Sequence, residues 1–111
     1  MKIIKMEIDT IDGDNIIELI KSKYSITYVH QYEKVGILYL EEYYMRTDSY
    51  QLTTIIIDYF FEFTNIKIIT GGGGSGILGI TWGSEKSINN RIINTIINYC
   101  DQNSIEYTDP E

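Results

Sequence analysis

The sequence contains no alanine and only one each of proline, cysteine, histidine and tryptophan. A lone Cys100 cannot form an internal disulfide, which fits a reducing compartment. A lone His30 leaves no second imidazole for a metal site, and no Ser-His-Asp or Cys-His arrangement is specified. Basic residues are scarce: 9 Lys and Arg stand against 16 Asp and Glu, a net charge of −7. Non-specific nucleic-acid binding needs cationic surface for the phosphates, so this balance argues against it. Long apolar runs are missing too. Asp58 and Glu62 interrupt the greasiest stretch, Ile55 to Phe63, and nothing approaches the ~18 apolar residues that span a bilayer. Lys2, Lys5 and Glu7 interrupt the N-terminus, where a signal peptide would need an unbroken apolar segment. The expectation is a cytoplasmic chain with no membrane contact.

What is present describes one folded domain. A chain of 111 residues falls within the usual size of a single domain. Its apolar share of 43% is ordinary for a globular protein and too high for disorder. Isoleucine dominates, with 23 residues against 5 Leu and 2 Val. Core packing does not demand that bias, and AT-rich coding accounts for it. There is no internal repeat and no interdomain linker.

Residues 2–9 read as a first strand, followed by a turn cluster at 10–14. Asp12 or Asp14 can cap a helix whose apolar positions are Ile16, Ile17, Leu19 and Ile20, ending near Lys23. From Tyr24 the period becomes two. Tyr24, Ile26, Tyr28, His30 and Tyr32 share one face; Ser25, Thr27, Val29, Gln31 and Glu33 share the other. Lys34 with Gly36 signals a turn or bulge before a strand from Ile37 to Met45. Thr47-Asp48-Ser49 turns the chain again. A long strand follows, with Thr53, Ile55, Ile57, Tyr59, Phe61 and Phe63 expected on the core face, because the alternate set carries Asp58 and Glu62. Residues 66–70 form another strand, Gly71 to Gly76 a loop, and Ile77 to Trp82 a last strand. Ser84 or Ser87 then caps a helix with an apolar stripe of Ile88, Ile92, Ile93, Ile96, Ile97, Tyr99 and Cys100. The polar tail, 102–111, frays or adds a short edge strand at 105–107.

The expected fold is therefore α+β: one domain with a mostly antiparallel sheet of about five or six strands and two helices on one face, in the order β-α-β-β-β-β-β-α.

Few motifs carry chemistry. Gly71, Gly73 and Gly76 match dinucleotide-loop spacing, but any polyglycine run does, and a strand rather than a helix is expected next. No Gly-Lys-Ser/Thr closes the run as a phosphate loop would. Backbone amides around Gly72, Gly73, Gly74 and Ser75 could still form an anion nest. Asp9, Asp12 and Asp14 lack calcium-loop spacing, since Ile16 occupies the fifth position from Asp12. Glu41 and Glu42 are adjacent on a strand and point to opposite faces, so they cannot act as a carboxylate pair. Cys100 lies on an apolar helix stripe and reads as an inert buried thiol. No catalytic residues, metal or cofactor are expected.

Seven of the 10 tyrosines crowd the central strands: Tyr24, Tyr28, Tyr32, Tyr39, Tyr43, Tyr44 and Tyr50. Aromatic strands can stack nucleic-acid bases, but those platforms carry cations, and here Glu33, Glu41 and Glu42 are interleaved. Tyrosine is also a good strand former and an interface residue.

The stretch from Tyr39 to Ile97 resembles a family of small uncharacterised bacterial proteins. The resemblance lies in Ile68-Ile69-Thr70-Gly71-Gly72-Gly73, then Ile77 to Trp82, then Gly83-Ser84-Glu85 opening the last helix. It implies a fold and assigns no activity or catalytic residue.

Two functions are expected from these readings. The first is a non-enzymatic, acidic binding protein of the inhibitor or toxin-immunity kind. Its surface would be Tyr28, Tyr32, Glu33, Glu41, Glu42, Tyr43 and Tyr44, and its partner a basic protein such as a toxin or nuclease. The second is a small-ligand or anion-binding domain using Gly72, Gly73, Gly74 and Ser75.

Overall fold

A computed structural model describes residues 2–44, 49–73 and 82–111, with backbone only at 2, 43, 44, 49, 50, 72, 73 and 82–87. The elements are β1 (Lys2–Ile8), α1 (Gly13–Lys23), β2 (Tyr28–Tyr32), β3 (Val35–Tyr44), β4 (Ser49–Asp58), β5 (Thr64–Gly73) and α2 (Trp82–Gln102). The five strands form one antiparallel sheet in the order β1-β5-β4-β3-β2. The chain starts at one edge, crosses through α1 to the other, and meanders back until β5 pairs with β1. Both helices lie on one face. The expected α+β class and element order hold, and the expected strand at 77–81 lies outside the described residues.

The two-residue period decides which side chains meet the helices. Met6 and Ile8 from β1, Leu38 and Leu40 from β3, Ile55 and Ile57 from β4, and Ile66 and Ile68 from β5 are all buried. They pack against Ile16, Ile17 and Ile20 of α1 and Ile88, Ile92, Ile93, Ile96 and Cys100 of α2 in one continuous core. Burying each such side chain contributes roughly 1.5–3 kcal/mol, so the helices are held by this stripe rather than by propensity.

Local chemistry differs from expectation in four places. Asp12 occupies the N-cap of α1, but its side chain caps no backbone amide. Its carboxylate instead accepts from Asn15 Nδ2 at 2.7 Å and Tyr99 Oη at 2.5 Å. The hairpin between β2 and β3 turns at Glu33-Lys34, where Glu33 has φ 52. Gly36 lies inside β3, against Ile17. Thr27 N–H donates to the carbonyl of Tyr39, which is also the register partner of Tyr28. The side-chain alternation slips there, so Ile26 and Val29 pack on the core while Tyr28 is exposed. Finally, α2 begins at Trp82 rather than after Ser84, so Trp82 is helical and not a strand residue.

The C-terminal tail lies along the outer edge of β1. Asp9 N–H donates to Glu106 O, Thr108 N–H to Glu7 O, and Lys5 and Glu111 exchange backbone hydrogen bonds. This pairing covers an edge that would otherwise offer free backbone groups.

Candidate interaction surface

The helices cover one face of the sheet, and among the described residues no helix or strand covers the other, the open face. The register fixes what the open face carries. One row across it reads Ile3, Ile69, Thr54, Tyr39, Tyr28; the next reads Lys5, Lys67, Ile56, Ile37, His30; a third reads Glu7, Asn65, Asp58, Val35, Tyr32. Leu52 and Glu41 face each other beyond the first row. At the β2 edge Tyr28 and Tyr32 are 56% and 65% exposed. The rings of Tyr28 and Tyr39 pair with centroids 5.9 Å apart.

The expected partner-binding residues separate accordingly. Tyr28, Tyr32 and Glu41 share the open face, with Glu33 exposed in the adjoining turn. Glu42 faces the helices, where both of its oxygens accept from Arg91 at 2.8 Å. Tyr43 and Tyr44 lie opposite Tyr50 and Ser49, and their side chains fall outside the described residues. Of the glycine run, 71–73 is the end of β5, hydrogen-bonded beside β4, rather than loop. Gly72 and Gly73 face Gln51 and Tyr50 in register. Gly74 and Ser75 lie outside the described residues.

One surface was misread from sequence. β4 ends at Asp58, so Phe61 and Phe63 are not core residues. Only Tyr59 continues the buried series. Its hydroxyl donates to Asp14 Oδ1 at 2.6 Å, and Lys34 Nζ lies 5.6 Å from its ring centroid. Beyond it Phe60, Phe61 and Phe63 are 52%, 79% and 37% exposed. These rings sit among acids. Glu33 occupies the neighbouring turn, tied to Tyr59 because Tyr59 N–H donates to Lys34 O. Glu62 lies within the aromatic loop, and Asp9 and Glu106 line a shallow recess beside Phe63.

Other chemistry is quiet. Cys100 is fully buried, and its thiol is pushed up to about 11, by burial first and then by the Asp101 and Asp12 carboxylates. It is not a thiolate at neutral pH. His30 is exposed and faces Ile37. A recess of about 420 Å³ on the open face holds Lys5 and Lys67, but Glu7, Asp58 and Glu111 line it as well, so it has no anion-binding field. Among the described residues no group of three His, Cys, Asp or Glu side chains could hold a metal ion. No helix among them is long and apolar enough to cross a membrane. No protein-family model matches the chain, nor does any curated protein or solved structure.

Proposed function

We propose that the chain is a non-enzymatic binding protein that engages a basic protein through the acidic, aromatic end of its sheet. The observation that carries this reading is the exposed run Phe60-Phe61-Glu62-Phe63 beside Tyr32 and Glu33. Exposed phenylalanines this dense are unusual on a surface that meets only water. Aromatic anchors surrounded by charge are what protein interfaces use: the rings fill pockets, and the charge selects the partner and speeds its approach. Glu33, Glu62, Asp9 and Glu106 outnumber Lys34 around these rings, and the chain carries seven excess negative charges, so the complementary partner is basic.

The turn adds a second support. Glu33 sits at φ 52, a conformation glycine adopts freely and glutamate only at a cost of roughly 1–2 kcal/mol. A charged residue kept in such a position points to use of its charge. An inhibitor or toxin-immunity role is the specific form proposed, with a toxin or nuclease as partner. In that case Tyr28 lies further along β2 from the contact and Glu41 about 20 Å away along β3, while Glu42 supports α2 through Arg91.

The test is capture from the native host at low salt, using the wild type beside Phe61→Ser. The reading expects a basic protein retained by the wild type, released by salt and lost from the variant. Retention that ignores both salt and Phe61→Ser would count against it.

A further inference from the structure

The open face is built like the buried one. Four adjacent strands each carry an unbroken apolar run at the same level: Ile3-Ile4 in β1, Ile68-Ile69 in β5, Ile55-Ile56-Ile57 in β4 and Ile37-Leu38 in β3. Alternating side chains point to opposite faces, so each run supplies both. Ile4, Ile68, Ile55, Ile57 and Leu38 meet the helices, and Ile3, Ile69, Ile56 and Ile37 lie on the open face outside that core, Ile3 against Ile69 and Ile56 against Ile37 in register. Unbroken apolar runs are the pattern of strands covered on both sides; a sheet with one wet face alternates apolar with polar residues. Ile3 and Leu52 remain 48% and 44% exposed.

We infer that a second copy of this chain covers the open face, making a symmetric dimer of two sheets packed face to face. Charge selects the occupant. The chain as a whole carries −7, but this face carries two lysines, Lys5 and Lys67, against four carboxylates, Glu7, Asp58, Glu41 and Glu111. It is the less acidic side of a strongly acidic molecule. A basic partner is drawn to the aromatic, acidic end of the sheet, whereas an identical acidic chain is repelled least here.

Size is sufficient as well. Five strands spaced about 4.8 Å apart, with about seven residues each at about 3.3 Å, make a face of roughly 550 Å² in projection. Two copies bury roughly twice that, near the lower bound of a specific interface, before the relief of the side chains is counted. Stacked sheets pack about 10 Å apart, which Ile and Tyr side chains fill. β4 is the middle strand, so a two-fold axis through it makes Leu52, Thr54 and Ile56 meet the partner's β4.

This inference does not rest on the basic-partner reading, because its centre is the apolar rows of β1, β5 and β4 rather than the Phe60–Phe63 loop, and it predicts the opposite response to salt. Screening weakens attraction between an acidic chain and a basic partner, but relieves repulsion between two acidic copies.

The test is sedimentation equilibrium of the full chain over the micromolar range. The wild type is expected at twice its 12.9 kDa, with association strengthened by added salt. Leu52→Lys with Thr54→Lys is expected to weaken the dimer by at least about tenfold while leaving the circular dichroism unchanged. Phe61→Ser is expected to leave it intact. Thr54→Cys provides a readout that needs no destabilising change: on oxidation it should link two copies, and Lys23→Cys on α1 should not. A wild type that stays monomeric throughout the range overturns the inference. So does a dimer that survives both lysines, or a Thr54→Cys chain that does not cross-link.

Discussion

Replacing Gln51 by methionine should make this protein more stable. Gln51 lies on β4, facing the helices, and is 1% exposed. Among the described residues, neither its amide oxygen nor its amide nitrogen has a hydrogen-bond partner. Its register neighbours explain why: Gly72 on one side has no side chain, and Glu42 on the other is committed to Arg91. An unmade hydrogen bond from a buried amide costs about 1–3 kcal/mol, because the desolvation is complete and nothing offsets it. Methionine keeps the length and removes the polar atoms. The expected gain is about 1–3 kcal/mol. For a domain of this size each kcal/mol raises the midpoint by roughly 4 °C, so calorimetry should show a rise of about 4–12 °C. Asn89 supplies the contrast. Its Nδ2 is also unpartnered among the described residues, but its Oδ1 accepts from the buried Thr70 hydroxyl. Asn89→Leu would orphan Thr70, and no gain is expected. A Gln51→Met chain that loses more than about 1 kcal/mol would refute the reasoning, since it would mean that the amide is satisfied.

Three further outcomes follow from the packing. Gly13→Ala places a Cβ 2.0 Å from Cδ1 of Tyr59, a ring that is buried and held by Asp14, so urea titration should show a loss of about 1–3 kcal/mol. Alkaline conditions should weaken the fold. Burial and donation to Asp12 raise the Tyr99 hydroxyl to about 12 from an ordinary value near 10. Its contribution is complete below about pH 10 and is lost as pH rises from there toward 12. Cys100, raised to about 11, acts in the same direction. Tyr99→Phe should flatten that part of the pH–stability curve and lower stability at neutral pH. Arg91→Ala, by contrast, should change stability by less than about 1 kcal/mol in the same titration, because the Arg91 side chain of the Glu42 pair is half exposed.

Much of the fold was legible in the sequence because it rests on periodicity. The stripe from Ile88 to Cys100 has one period and one face, and it is buried as the pattern requires. The β4 alternation likewise placed Ile55, Ile57 and Tyr59 correctly. The misreadings occurred where periodicity alone does not decide. At Thr27 the alternation slips by one residue, and no local signal in Ile26-Thr27-Tyr28 announces it. Past Asp58 the apolar pattern continues through Phe63, but its partner strands have ended, and a strand without a neighbour has no ladder to extend. Aromatic residues that looked like core are therefore surface.

The candidate site was less legible for the same reason. Tyr28, Tyr32 and Glu33, expected in a partner surface, are exposed. Glu42 was not separable from Glu41 as a surface residue until the opposite face acquired a helix bearing Arg91. Phe60 and Phe61 could be recognised only once β4 was seen to stop short of them.

The central claim, that the aromatic, acidic end of the sheet is where a basic partner docks, is tested most directly by photo-cross-linking. A benzoyl-phenylalanine at position 61 should capture one basic protein from the native host, with a yield that falls as salt rises. The same probe at Lys23, on the far side of α1, should capture none. Equal capture at the two positions, or an acidic protein at position 61, would contradict the account.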